Sequence, residues 1–346
     1  MLLGGHSQIE SDWDMSIVTP LLRSAGRVLS PGGTRGKLTI LTYHRVPREM
    51  DQLLSSDQVD AAKFAKHMTA IAECFNVLSL PEALSRLESG TLPVRALSIT
   101  FDDGYQDNYT IALPILQSHG LQATFFVCSA YLNTGIMFND VIVESIRACA
   151  ATTLDFSWLG LGQMPVSDIA SKRAVCEKIL SAVKYLPFEE REHACDRVWQ
   201  LASPNRARPR LMMTDDQIRH LSSEGMTIGG HTHTHPILNQ ISLESARQDI
   251  AFNRKLLGTL VGRDPLIFAY PNGRPGKDYG PEHVKLLAEE GYQAAVSTAW
   301  GVASASCDRL QLPRFAPWDD KPRNLILRLL KNAIVGQTPI SVRQSL

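Results

Sequence analysis

The chain has 346 residues, 44% hydrophobic and 20% charged, and its 35 basic and 35 acidic side chains balance to zero net charge. That describes one large globular domain or two ordinary ones. It carries no electrostatic footprint for nucleic acid or a strongly anionic surface, and no stretch approaches the roughly 20 apolar residues that span a bilayer.

The six cysteines are scattered without a CxxC pair and are read as free, mostly buried thiols of a reducing compartment. The N-terminus carries Glu10, Asp12 and Asp14 and has no continuous apolar segment of the secretory kind, so the expected location is cytoplasmic. Residues 1–36 form a lead-in that breaks at Pro31-Gly32-Gly33. Within it, Ile17 to Leu29 is amphipathic and suits packing on the domain, with peripheral contact to a membrane face as the alternative.

The main domain is expected over 37–330, with 331–346 as a C-terminal tail. Its first strand is the β-branched run Lys37 to Tyr43, followed at once by His44-Arg45. Phe64, Met68 and Ile71 have helical spacing over 61–74. Val77 to Leu80 is a short strand, and Pro81 starts a helix that runs to Ser89. Ala96 to Phe101 is a buried strand, a helix occupies about 108–119, and Ala123 to Cys128 is a central strand. Strands return at Met226 to Gly230, Leu266 to Tyr270, Ala294 to Thr298 and Leu312 to Phe315. Helices lie between them at about 214–223, 242–259 and 281–290.

Strands apolar on both faces, alternating with helices, indicate a parallel sheet covered by helices. About seven such repeats favour an α/β fold of the closed kind, a distorted (β/α) barrel. Residues 131–213 interrupt the rhythm with helices over Val141 to Ala150 and Ala170 to Tyr185, and are read as a helical insertion over the barrel mouth.

Two stretches carry chemistry. Asp102 and Asp103 leave a core strand together, and Gly104 lets the chain turn sharply. Buried carboxylates are costly unless compensated, commonly by a cation; the alternative is a turn with a helix-capping Asp. Downstream, His231, His233 and His235 fall within five residues. Imidazole nitrogen and carboxylate oxygen suit zinc. His231 and His235 share a face if the chain turns helically after its strand, with Asp103 as third ligand and His233 pointing away.

Together, T-F-D-D-G (Thr100 to Gly104) and H-T-x-x-H (His231 to His235) resemble the polysaccharide deacetylases of carbohydrate esterase family four, the NodB-homology domain, from about residue 37 to 318 without the insertion. The resemblance implies that Asp102 is the catalytic base and that Asp103, His231 and His235 hold a divalent metal, Zn²⁺ foremost. Phe268 to Gly273 resembles the F-A-Y-P-x-G subgroup. By alignment the backbone N–H of Asn272 is then the oxyanion donor, and Ala269 stands where the commoner form has the Arg that orients the base. Arg314 is the expected substitute, with Arg274 as runner-up. No histidine follows Arg314, so His44, after Tyr43, takes the place of the family's C-terminal general acid. Tyr105, Trp318, Phe138, Asn139 and Asp140 are candidates to line a sugar groove.

The function so implied is metal-dependent removal of N-acetyl groups from an amino-sugar polysaccharide or oligosaccharide, with an N-acetylated glycan or glycolipid as partner. A lipid-linked sugar or lipopolysaccharide precursor is the alternative substrate. A glycan-binding protein without turnover is the alternative of a different class.

Overall fold

In the computed structural model, residues 15–54, 58–133, 135–203 and 205–335 are described. The outer parts of the expected lead-in and tail, residues 1–14 and 336–346, lie outside them. Helix α1 (Met15–Leu29) leads in, and buried Leu22 seats it on the domain core. Strand β1 (Leu38–Tyr43) is followed by α2 (Ala61–Cys74), the short β2 (Asn76–Val77), α3 (Leu80–Glu88) and β3 (Ala96–Phe101). Every residue of β1 and β3 is buried, the burial pattern of strands covered on both faces.

After β3 the chain forms a π-helical turn over Asn108–Ala112 before α4 (Leu113–Ser118), where one continuous helix was expected. It continues through β4 (Ala123–Val127). The insertion comprises α5 (Phe138–Ala148), the antiparallel hairpin β5 (Thr153–Asp155) and β6 (Gln163–Pro165), then α6 (Ile169–Val183) and α7 (Phe188–Ala202). The barrel resumes with α8 (Asp215–Ser223), β7 (Thr227–Gly230), α9 (Leu243–Val261), β8 (Ile267–Ala269), α10 (Pro281–Glu289), β9 (Ala294–Trp300), β10 (Leu312–Arg314) and α11 (Pro322–Val335).

Seven parallel strands follow the order β1-β3-β4-β7-β8-β9-β10, with β2 attached beside β3. The last strand returns to the first: Thr42 N–H donates to the Phe315 carbonyl at 3.0 Å, and Phe315 N–H to that of Ile40 at 2.8 Å. The sheet is thus a nearly closed, distorted (β/α) barrel. Strand C-terminal ends share one rim in such an architecture, and functional groups gather there.

Outside the strands, Leu97, Ile99 and Phe101 of β3 pack with Phe64, Met68 and Ile71 of α2. Phe101 and Phe125 stack at 4.8 Å between ring centroids. The insertion has its own apolar cluster, in which Ile142 and Ile146 of α5 meet Ile179 of α6 and Val198 and Trp199 of α7. Helix α7 went unrecognised in the sequence because inward positions of its first turns include Arg191, a residue type that marks a surface by default. Helix α11 crosses the boundary drawn at 330/331 between domain and tail. None of the six cysteines is in a disulfide. Among the described residues no helix is long and apolar enough to cross a membrane.

Phe125 is fully buried, so Phe125→Ala should cost about 3–5 kcal/mol, measured as a fall in the urea midpoint at unchanged slope.

Candidate active site

Strand β3 delivers two carboxylates that part company within one residue. Asp102 remains tied to the sheet, its N–H donating to the Tyr43 carbonyl at 2.9 Å. Asp103 adopts a left-handed backbone, φ 76°, and Gly104 follows at φ 94°. A Cβ on Gly104 would stand 3.1 Å from Val127 Cγ1, so both the backbone angle and the space favour glycine. The reversal sends the two side chains to different partners.

Asp102, 2% exposed, receives a bidentate grip from Arg314: Nη1 to Oδ1 and Nη2 to Oδ2, each 2.7 Å. Arg314 is itself buried and anchored, with Nε donating to the Ser297 carbonyl at 2.9 Å and Nη1 to Thr100 Oγ1 at 3.2 Å. Burial alone would raise the Asp102 carboxyl; the Arg314 charge and its hydrogen bonds outweigh burial and hold it below the usual carboxylate range. Arg274, the runner-up, is committed to Asp278 at 3.0 Å and to the Tyr185 hydroxyl at 3.0 Å.

Asp103 faces the histidine loop. Its Oδ1 lies 3.2 Å from His231 Nε2 and 3.4 Å from His235 Nε2. The loop is no helical turn: Thr232 at φ 65° and His235 at φ 54° bend it back on itself. That corrects the helical route expected to bring the imidazoles together. His233 turns away, with Nδ1 2.9 Å from Ser129 Oγ and its ring 4.4 Å from that of Phe252.

The donor atoms of Asp103, His231 and His235 all lie within 4.8 Å of one another. Asp103 Oδ1 is buried, with the two imidazole nitrogens as its close neighbours. One carboxylate oxygen and two imidazole nitrogens this close together are a set that could hold a divalent cation bound by nitrogen and oxygen donors. Burial would lift the Asp103 carboxyl, yet the two imidazoles hold it well below the usual range.

His44 follows β1, with Nε2 3.8 Å from Asp102 Oδ2 and a half-exposed side chain. It borders a cleft of about 370 Å³ that Asp103, Tyr105, Asn139 and Asp140 also line. Trp318 is 39% exposed and stacks on the Arg328 guanidinium. Phe138 is buried beneath Arg191. Asn272 has φ 56°, and its carbonyl accepts from Thr298 Oγ1 at 2.8 Å. A larger cavity, about 490 Å³, opens beside Ser79, Glu88, Arg263 and Asp264 and holds no such donor set.

Several supporting residues escaped sequence reasoning. Asp249 on α9 accepts from the backbone of His233 and Thr234. Asn253, one turn on and fully buried, accepts from His231 N–H at 3.3 Å and donates to Ser129 Oγ at 2.8 Å. The available signal was a pair of polar residues four apart on a helix whose buried face otherwise carries Ala246, Ile250 and Leu257. In the cleft, Asp140 accepts from the Tyr105 hydroxyl at 2.9 Å and lies 3.7 Å from Arg45. Burial pushes its carboxyl up to about 7 against the lowering pull of Arg45.

A family model for polysaccharide deacetylase matches residues 89–295. YxkH of Bacillus subtilis is 24% identical over 270 residues, which span 78% of this chain and 67% of YxkH. Among solved structures, the Streptococcus pyogenes deacetylase PplD in complex with acetate superposes with a TM-score of 0.60 at 21% identity, covering 86% of this chain and 99% of PplD. The de-N-acetylase of Aggregatibacter actinomycetemcomitans gives 0.54 at 16% identity, covering 85% and 99%. IcaB of Ammonifex degensii gives 0.55 at 16%, covering 86% and 98%. These structural likenesses are of fold.

Arg314→Leu should strand the Asp102 charge in the interior and cost about 3–5 kcal/mol at neutral pH. Asp102 is depressed in the wild type, so the stabilising pair is complete above the ordinary carboxylate pKa and lost as pH falls through the lowered one. The gap between variant and wild type, followed by urea unfolding against pH, should therefore narrow in acid. Asp140 has the opposite sign. Between about pH 4 and 7 the folded chain holds a proton that the unfolded chain releases, so this group lowers stability as pH rises. Asp140→Asn should flatten that part of the profile.

Proposed function

The chain belongs to the polysaccharide deacetylase family, and from that premise we propose that it removes N-acetyl groups from amino sugars of a glycan at the rim where Asp102, Asp103, His231 and His235 meet. The observation that carries this reading is the convergence of Asp103 with two imidazoles beside a carboxylate kept ionised by Arg314. Asp103, His231 and His235 would hold a divalent cation, zinc by the character of the donors, which when bound polarises a carbonyl and acidifies water.

The remaining steps belong to side chains of the protein. Asp102 accepts the proton of the attacking water as its oxygen bonds to the acetamide carbon. Arg314 keeps both Asp102 oxygens aimed and prevents a resting proton from settling there. The negative oxygen of the tetrahedral state takes a hydrogen bond from the Asn272 N–H, a reading supported by the left-handed backbone at Asn272. His44 then protonates the amine nitrogen as the C–N bond breaks, releasing acetate and a free amino sugar. Its position suits that role, with one edge near Asp102 and the ring bordering the cleft.

The insertion over 131–213, placed by Asn139 and Asp140 against the same cleft, is read as a cap that shapes the substrate site. The intact acid and imidazole set argues against a glycan-binding protein without turnover.

The protein should release acetate from N-acetylglucosamine oligomers, lose that activity to a chelator and regain it with zinc. Asp102→Asn should lower kcat by at least about 100-fold while retaining bound metal. Wild-type turnover in that variant would remove Asp102 from the role of base.

A further inference from the structure

His231 and His235 are held in different ways. The ring of His231 is oriented by its second nitrogen, Nδ1, which lies 2.7 Å from the Ala269 carbonyl. Metal-binding histidines ordinarily have such a partner, and it sets both tautomer and ring angle. Nδ1 of His235 is buried and meets no hydrogen-bond partner among the described residues. The direction of this ring therefore depends on its backbone, which is left-handed at φ 54°. A non-glycine residue holds that conformation only where its surroundings over-determine it.

The restraint comes from two sides. Asp249, on barrel helix α9, accepts from the N–H groups of His233 and Thr234, and Thr232 Oγ1 accepts from His235 N–H at 3.1 Å. The carbonyls of Thr232 and His233 accept from the N–H groups of Ser129 and Ala130 after β4, whereas those of Thr234 and His235 are taken by the insertion. Arg191 on α7 donates from Nη2 to the Thr234 carbonyl at 3.0 Å and from Nη1 to that of His235 at 3.3 Å. Tyr131 adds its hydroxyl to the Thr234 carbonyl at 3.2 Å.

Arg191 is only 2% exposed. Its guanidinium lies 4.2 Å from the ring centroid of Phe138 and 5.6 Å from that of Phe188, and among the described residues no carboxylate forms an ion pair with it. A tie between insertion and barrel made of apolar side chains would avoid the desolvation cost of such a cation. A planar fork that reaches two consecutive carbonyls is something neither an apolar side chain nor a lysine supplies.

We propose that Arg191 is a positioning residue for the metal ligand His235, gripping the carbonyls of the loop in place of the ring partner that His231 has. The inference rests on the ligand set of the proposed function and goes beyond it. It makes the helical insertion part of the metal site, so that docking of α7 and affinity for the cation are linked.

The test is the affinity of the full chain for Zn²⁺ alone, by competition with a chromophoric chelator, with far-UV circular dichroism verifying the fold. Arg191→Met should weaken binding about 10- to 100-fold, the range for loss of an outer partner of a ligand. Arg191→Lys should fall between it and wild type. In a His235→Ala background, the change at 191 should have no further effect, because the ligand it positions is gone. Wild-type affinity in both 191 variants, or an equal loss with and without His235, overturns the proposal. Should Arg191→Met fail to fold, Arg191→Lys decides by the same comparison. A wild-type chain that binds no Zn²⁺ overturns the metal centre and this inference together, whereas wild-type binding with indifferent variants overturns this inference alone.

Discussion

Two carboxylates that leave a buried strand side by side must each find a counter-charge or hydrogen-bond donors to remain ionised in the interior. The barrel meets that constraint by separating them. Asp102 is clamped from across the sheet by Arg314, and Asp103 is turned by its left-handed backbone toward His231 and His235. Closure makes this feasible. Arg314 ends β10, which pairs with β9 and, through Phe315, with β1, so a residue 212 positions away in sequence arrives beside Asp102. An open sheet of these strands would leave the first and last at opposite edges.

Strain is concentrated in the same place. Among the described residues, the non-glycine positions with positive φ include Asp103, Thr232, His235 and Asn272, which follow β3, β7 and β8. At Asp103 and His235 this backbone brings together side chains that ordinary strand or helix continuation would send elsewhere. Such backbone is costly and persists where packing and hydrogen bonds over-determine it. Asp249, Asn253 and Arg191 are the groups that do so around the histidine loop. The loop thus draws support from the barrel through α9 and from the insertion through α7. The insertion also reaches the cleft bordered by His44, which Asn139 and Asp140 of α5 help to line.

Much of the barrel was legible in the residues alone. The strands around Leu41, Ile99 and Phe125 are short apolar runs punctuated by Gly and Pro, and α2 shows the spacing of Phe64, Met68 and Ile71. Both signals are local and survive without a partner. The insertion was harder, since α7 buries Arg191 where a periodic pattern calls for an apolar side chain. The β5–β6 hairpin spans only three residues per strand, too few for alternation to show. The π turn after Asn108 likewise has no marker in the sequence.

By itself, the sequence determined which chemical groups were available and roughly where each stood along the chain: paired acids after one strand, clustered imidazoles after another, an arginine after the last. What it left open was direction. The tertiary structure decided that Asp102 and Asp103 point apart, that Arg314 rather than Arg274 meets Asp102, that His231 and His235 converge through two left-handed residues, and that Arg191 reaches the loop from the insertion. The reason is physical. Residue type and periodicity register burial and local geometry, whereas the aim of a side chain is set by backbone angles and counter-charges that only distant segments supply once the barrel has closed.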